Sequence, residues 1–158
     1  DLPSTFKEPA PWSESELELP DWPRDQDLIE ITTDQPNPRF RFFIDSRSLR
    51  TGDDDVVRFT LIAESQSGVR NIDYRGLRCR AQGLYRIYAY GIDGNFKPTG
   101  LPDNGISIRD PIAEPVQQDL WRYYLCNTQV FKPLKRRQQL QILRRGGGNG
   151  SQDGMTLD

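Results

Sequence analysis

Between residues 28 and 90 apolar and polar side chains alternate with a period of two, and short turn-forming clusters break the alternation into runs. Residues 28–31 form a short strand candidate, and the turn-rich stretch 33–38 follows it. Residues 39–44 set Arg39 and Arg41 against Phe40 and Phe42, as a half-buried strand does. A Gly-Asp turn within 51–55 leads into 56–63, where Val57, Phe59 and Leu61 share one face and Val56, Arg58 and Thr60 the other. In 71–78 Ile72, Tyr74 and Gly76 fall on one face, and the run ends at Cys79. Gln82-Gly83 turns the chain into 84–90, with Tyr85, Ile87 and Ala89 opposed to Arg86, Tyr88 and Tyr90, and Asp93-Gly94 closes that run. Strands joined by such short turns pair as an antiparallel meander.

The second half changes character. Residues 97–115 hold four prolines and little periodicity, so they read as a long connection with one short strand around 106–108. Pro115 suits the first turn of a helix, and Val116, Leu120, Tyr123 and Tyr124 recur at helical spacing as far as Cys126. Residues 133–145 predict a second helix with Leu140 and Leu143 inward, basic residues in its last turn, and Gly146 as its stop. The expected architecture is therefore α+β: an antiparallel sheet of about five strands with two helices packed on one face.

Composition divides the chain further. The mean hydropathy of −0.74 is low for a globular protein of 158 residues, which places part of the length outside the core. Residues 1–27 carry eight acidic residues against two basic ones and five prolines, whereas residues 146–158 are mostly glycine and small polar residues. The expected organisation is an acidic arm at 1–27 packing on a body at 28–145, with a flexible tail at 146–158. The body alone carries a net charge of +6. The whole is weakly acidic, with a sequence pI near 5.3, which disfavours a dedicated nucleic-acid binder. No apolar run approaches the roughly 20 residues of a membrane-spanning helix.

With no histidine, Ser-His-Asp and Cys-His arrangements are impossible, and acid–base work falls to carboxylates, lysine or tyrosine. No catalytic set, metal site or cofactor is expected. Asp53-Asp54-Asp55 reads as a solvated turn in preference to a calcium loop, because no further acidic residue follows at calcium-loop spacing. Gly146-Gly147-Gly148 lacks the lysine of a phosphate loop. The basic positions Lys135, Arg136, Arg137, Arg144 and Arg145 fit the wet face of an amphipathic helix, with contact to anionic lipid or nucleic acid as the other reading. Cys79 and Cys126, 47 positions apart, are no CxxC pair. A structural disulfide and two buried thiols both remain open, and the disulfide gains weight because one cysteine closes a strand and the other a helix.

The runs Phe43-Ile44-Asp45, Ser48-Leu49, Asp55-Val56-Val57-Arg58-Phe59-Thr60-Leu61, Gly76-Leu77-Arg78-Cys79, Tyr88-Ala89-Tyr90-Gly91 and Tyr123-Tyr124-Leu125-Cys126 resemble the CNP1-like (cryptic neisserial protein-like) family of proteobacterial envelope proteins. Ser67-Gly68, Asn71-Ile72 and the arm segments Phe6-Lys7-Glu8, Trp12 and Leu19-Pro20-Asp21-Trp22-Pro23 extend the resemblance over most of the chain. Phe96 stands where the family pattern has a tryptophan after its Asp-Gly turn, and residues 97–115 follow the pattern least. The resemblance implies an exported, periplasmic protein with both cysteines at shared motif positions; the start at Asp1 suits a removed signal peptide. It supplies no activity.

The favoured function is a noncatalytic domain that binds a ligand or partner. Arg41, Arg58, Arg75 and Arg86, with Tyr88 and Tyr90 beside them, are expected on the side of the sheet away from the helices, as a face for an anionic envelope component or another envelope protein. Pairing of these arginines with Asp45, Glu64 and Asp73, or cover by the acidic arm, is the plainer reading. Trp12 and Trp22 are the expected anchors of the arm. The alternatives are a hydrolase using Asp45 with Asp73, and a single-stranded nucleic-acid module stacking bases on Arg86, Tyr88 and Tyr90.

Overall fold

The computed structural model describes residues 17–34, 37–100 and 105–146. Strands β1 (Leu28–Ile31), β2 (Phe40–Asp45), β4 (Val56–Ser65), β5 (Arg70–Arg78), β6 (Leu84–Ile92) and β7 (Asn95–Pro98) form an antiparallel sheet in that order. The short β3 (Arg50–Thr51) pairs with β4, and β8 (Ile106–Ser107) pairs with β6. The meander is thus present, with eight strands in place of the expected five. Of the added strands, β8 is the short strand expected around 106–108, whereas β3 and β7 carry no alternation that a sequence could display: β3 is two residues long, and β7 holds one aromatic residue and a proline. A separate hairpin joins β9 (Cys126–Asn127) to β10 (Lys132–Pro133).

Helix α1 (Pro115–Asp119) runs directly into a π-helical segment, Leu120–Leu125, and helix α2 spans Arg136–Arg144. The first expected helix therefore changes pitch halfway. At α-helical pitch Leu120 and Leu125 would point about 140° apart. The i→i+5 closure brings them towards one side, and both are fully buried. The main core lies between this side and one face of the sheet, where Val57, Phe59, Leu61 and Leu77 meet Val116, Leu120, Tyr124, Leu140 and Leu143. Gly146, with φ +90°, ends α2 by turning its amide back to the Leu143 carbonyl.

The opposite face is covered as well. Val56, Tyr74, Tyr88 and Ala89 form a second apolar cluster with Phe96 at its margin. There the described part of the arm docks: the Trp22 ring lies 5.1 Å from that of Phe96. A Cβ on Gly91 would come within 2.7 Å of the Trp22 ring, so the β6 backbone is bare where the indole rests on it. Trp22 thus rests on this face of the sheet, while Trp12 and the tail beyond Gly146 lie outside the described residues.

Cys79 and Cys126 are disulfide-bonded, with Cα atoms 5.4 Å apart. The bond fastens the end of β5 to the end of the π-helical segment, and Trp121 Nε1 donates to the Arg80 carbonyl beside it. In the chain-entropy account, closing a loop of 47 residues stabilises the fold by about 4 kcal/mol. Guanidinium denaturation with and without a thiol reductant is expected to show that loss as a lower midpoint. Coincident curves, with reduction verified by alkylation, would contradict it.

Candidate functional site

Residues i and i+2 of a strand share a face, so Asp73, Arg75 and Leu77 all point towards the helices. The pairing of Phe59 with Arg75 and of Leu61 with Asp73 confirms that face, since both β4 partners belong to the main core. An arginine so placed must be fully paired, and Arg75, 1% exposed, is. Its Nε and Nη2 donate to the two carboxylate oxygens of Asp73 at 2.7 and 2.6 Å; Nη1 donates to Glu114 Oε1 at 2.7 Å and to Gln117 Oε1 at 3.0 Å. The guanidinium carbon also lies 5.5 Å from the centre of the Tyr85 ring. Burial alone would lower the Arg75 pKa, but the carboxylates of Asp73 and then Glu114 more than reverse it and hold it above its ordinary value.

This ion cluster forms one wall of a cleft of about 690 Å³. The floor is apolar, built from Phe40 and Phe42 of β2, Leu61 and Ala63 of β4, and Val116 of α1. The rim comes from Thr33 and residues 37–39 of the β1–β2 connection, with Asn71 across from them. The cleft exists because α1 and the π-helical segment leave part of β2 and β4 uncovered. Its wall carries two carboxylates against one guanidinium, and Glu114 remains 49% exposed towards solvent.

The expected arginine face does not assemble. Arg75 lies on the helix side. Tyr90 joins it there because Tyr88 is an extra residue in β6: Tyr74 pairs with Ala89 but Arg75 with Ile87, and beyond the bulge the faces exchange, so that Tyr90 opposes Asp73. Arg41 does face away from the helices, but it opposes Glu64, six residues from Arg58 along β4 and so about 20 Å away. It is bound by both oxygens of Glu30, at 3.1 and 2.7 Å. Arg58, Arg86 and Tyr88 do meet, with the two guanidinium carbons 5.8 and 5.4 Å from the Tyr88 ring centre. Arg58, however, is buried and held by Asp54 at 3.2 and 2.6 Å. Of the acids expected to pair with them, only Asp73 does so, with Arg75 and within one strand; Arg41 and Arg58 take Glu30 and Asp54, while Glu64 and Asp25 of the arm bind Arg70.

The carboxylates proposed for hydrolysis are separated too. Asp73 faces the helices, whereas Asp45, next to Ile44 on β2, faces the arm. The Asp45 carboxylate accepts from the Arg47 amide at 3.0 Å, and its burial raises its pKa. A base stacking strip over Arg86, Tyr88 and Tyr90 fails for the reason that separates the two tyrosines. Sequence reasoning missed the cleft itself. The signal available was Asp73 and Arg75 in phase with Leu77, opposite charges two residues apart in a strand whose other face already held Ile72 and Tyr74.

A family model described as the CNP1-like family matches residues 7–144, and the chain belongs to that family. No curated protein and no solved structure matches the chain.

Two expectations follow from the buried charges. Arg75→Met leaves a buried carboxylate without its partner and is expected to cost about 3–5 kcal/mol, much of it recovered by adding Asp73→Leu. Urea titrations of the single and double variants measure this, and a double variant no better than Arg75→Met would contradict it. Asp45 behaves oppositely to a paired acid. Its raised pKa means that the folded chain holds more protons than the unfolded one between the two values, so its contribution is greatest in acid and is lost as pH rises through the folded value. Asp45→Asn keeps an acceptor for the Arg47 amide. It should match the parent at pH near 3 and gain on it at pH near 7; a gain confined to acid would be the wrong sign.

Proposed function

We propose that this CNP1-like chain is a noncatalytic binding domain of an exported protein, and that its ligand occupies the cleft beside Arg75. The disulfide supports an oxidising compartment, where such bonds persist. The observation that carries the binding reading is the pairing of an apolar floor with one densely hydrogen-bonded ionic wall inside a cavity of about 690 Å³. That combination of apolar area and a few fixed polar groups is how small-molecule sites are built, and the size lies within their usual range.

The same wall argues against acid–base chemistry. Both Asp73 oxygens are committed to orienting Arg75, whose guanidinium stays charged and has no role as an acid. What the wall offers is Glu114, half-exposed and joined to Arg75 through one oxygen. With two carboxylates facing one guanidinium, the site favours a cationic or hydrogen-bond-donating head on an apolar body. Arg39 is exposed at the mouth, on the connection before β2, and makes no bond to that wall among the described residues.

Calorimetric titration with octylammonium, octanol and octanoate tests the reading, because the three share an alkyl body and differ in head charge. Octylammonium is expected to bind saturably and at least tenfold more tightly than octanoate, a difference of about 1.4 kcal/mol. Ala63→Trp, which fills the floor, should abolish its binding. Absence of saturable binding by all three would refute the cleft as a site for such molecules; preference for octanoate would refute the assignment of charge.

A further inference from the structure

At the opposite end of the β4–β5 pair from this cleft, the β9–β10 hairpin carries Val130 and Phe131 at its tip, 61% and 42% exposed. Two consecutive large apolar side chains at a turn thus leave much of their surface in water. The tip is nonetheless rigidly presented. Its base is fixed by the disulfide at Cys126, by the pairs Lys132 with Asn127 and Pro133 with Cys126, and by Asn127 Oδ1, which accepts from the amides of Gln129 and Val130 at 2.9 and 3.4 Å. Phe131 has φ +56°, a conformation that a bulky residue adopts at a cost.

The chain that leaves the tip is basic. From Thr128 to Gly146 the chain has six basic residues and no acidic one. Arg136 is used internally, donating to the carbonyls of Leu49 and Ser46 and so seating α2 on the connection before β3. Lys132 lies 3.5 Å from Asp55. Lys135 and Arg137, at the hairpin end of α2, are exposed and have no carboxylate partner among the described residues. Near the tip, Asp54 holds Arg58 and Asp55 faces Lys132, whereas Arg144 and Arg145, at the far end of α2, line one depression with Asp27 and Glu30.

We propose that this end of the molecule docks on an anionic phospholipid surface, with Val130 and Phe131 entering the headgroup boundary and Lys132, Lys135 and Arg137 lying over the charged headgroups. A convex apolar tip flanked by flexible cations matches a lipid interface, which yields to a wedge; a protein partner would have to supply a preformed groove. The attraction is both apolar and Coulombic, so neither part should suffice alone.

The test is sedimentation of the full chain with vesicles of phosphatidylcholine, with and without phosphatidylglycerol, at low and moderate salt. Binding is expected only to the anionic vesicles. It should fall about tenfold for Phe131→Ser and be lost for Lys135→Glu with Arg137→Glu, while all variants keep the thermal midpoint of the parent. Equal binding to neutral vesicles, or no binding to either, would overturn the proposal. So would binding to soluble polyglutamate that rivals the vesicles and ignores Phe131→Ser, since it would make the basic face a polyanion or protein site. These readouts are independent of alkylammonium binding in the cleft, so either reading can fail without the other.

Discussion

Strand β4 has to be dry on both faces, and most of the structure answers that constraint. Seven consecutive residues, Val56 to Ile62, are buried, although Arg58 and Thr60 are among them. On the helix side Val57, Phe59 and Leu61 require cover, which α1, the π-helical segment and α2 supply. On the other side Val56 and its neighbours Tyr74 and Tyr88 require cover too. Next to them Trp22 of the arm stacks against Phe96 and rests on Gly91. A sheet buried twice over cannot leave its arginines in water, so those central to it are matched with carboxylates: Arg75 with Asp73 and Glu114, Arg58 with Asp54.

The strands were legible because alternation reports a two-sided environment directly. The runs around Phe42, Phe59, Tyr74 and Ile87 all became strands within a residue or two of their expected ends. The order of the meander followed from turn chemistry at Gly52 and Gly83. What alternation does not carry is the relative phase of neighbouring strands. Arg75 was grouped with Arg58 and Arg86 because all three are arginines in strands, yet phase puts it with Phe59. The bulge at Tyr88 is a second such case: a single inserted residue leaves no mark on the local pattern and reverses every side chain beyond it.

The cleft was hidden for another reason. It is made by incomplete cover, and the extent of cover depends on where a helix changes pitch and where a connection such as residues 37–39 happens to lie. Neither is local. The ionic wall was nearly visible, since Asp73 and Arg75 sit in one strand, but Glu114 and Gln117 reach them from about forty residues away. In the structure they form the boundary between a packed core and an open apolar floor, which is where a ligand can be oriented at little cost in protein rearrangement.

The connectivity of the sheet also bears on how the molecule is made. In a meander each strand pairs with one close in sequence, so β2 through β7 can zip together from local hairpins, with little loop entropy to overcome at each step. The contacts that close the molecule are distant ones: Tyr124 to the Thr32 carbonyl, Arg136 to Ser46 and Leu49, and Cys79 to Cys126. The sheet can thus serve as a template on which the helical half settles, with sulfur oxidation sealing an arrangement already reached. In pulsed alkylation during refolding, such an order would appear as strand protection gained while both thiols still react.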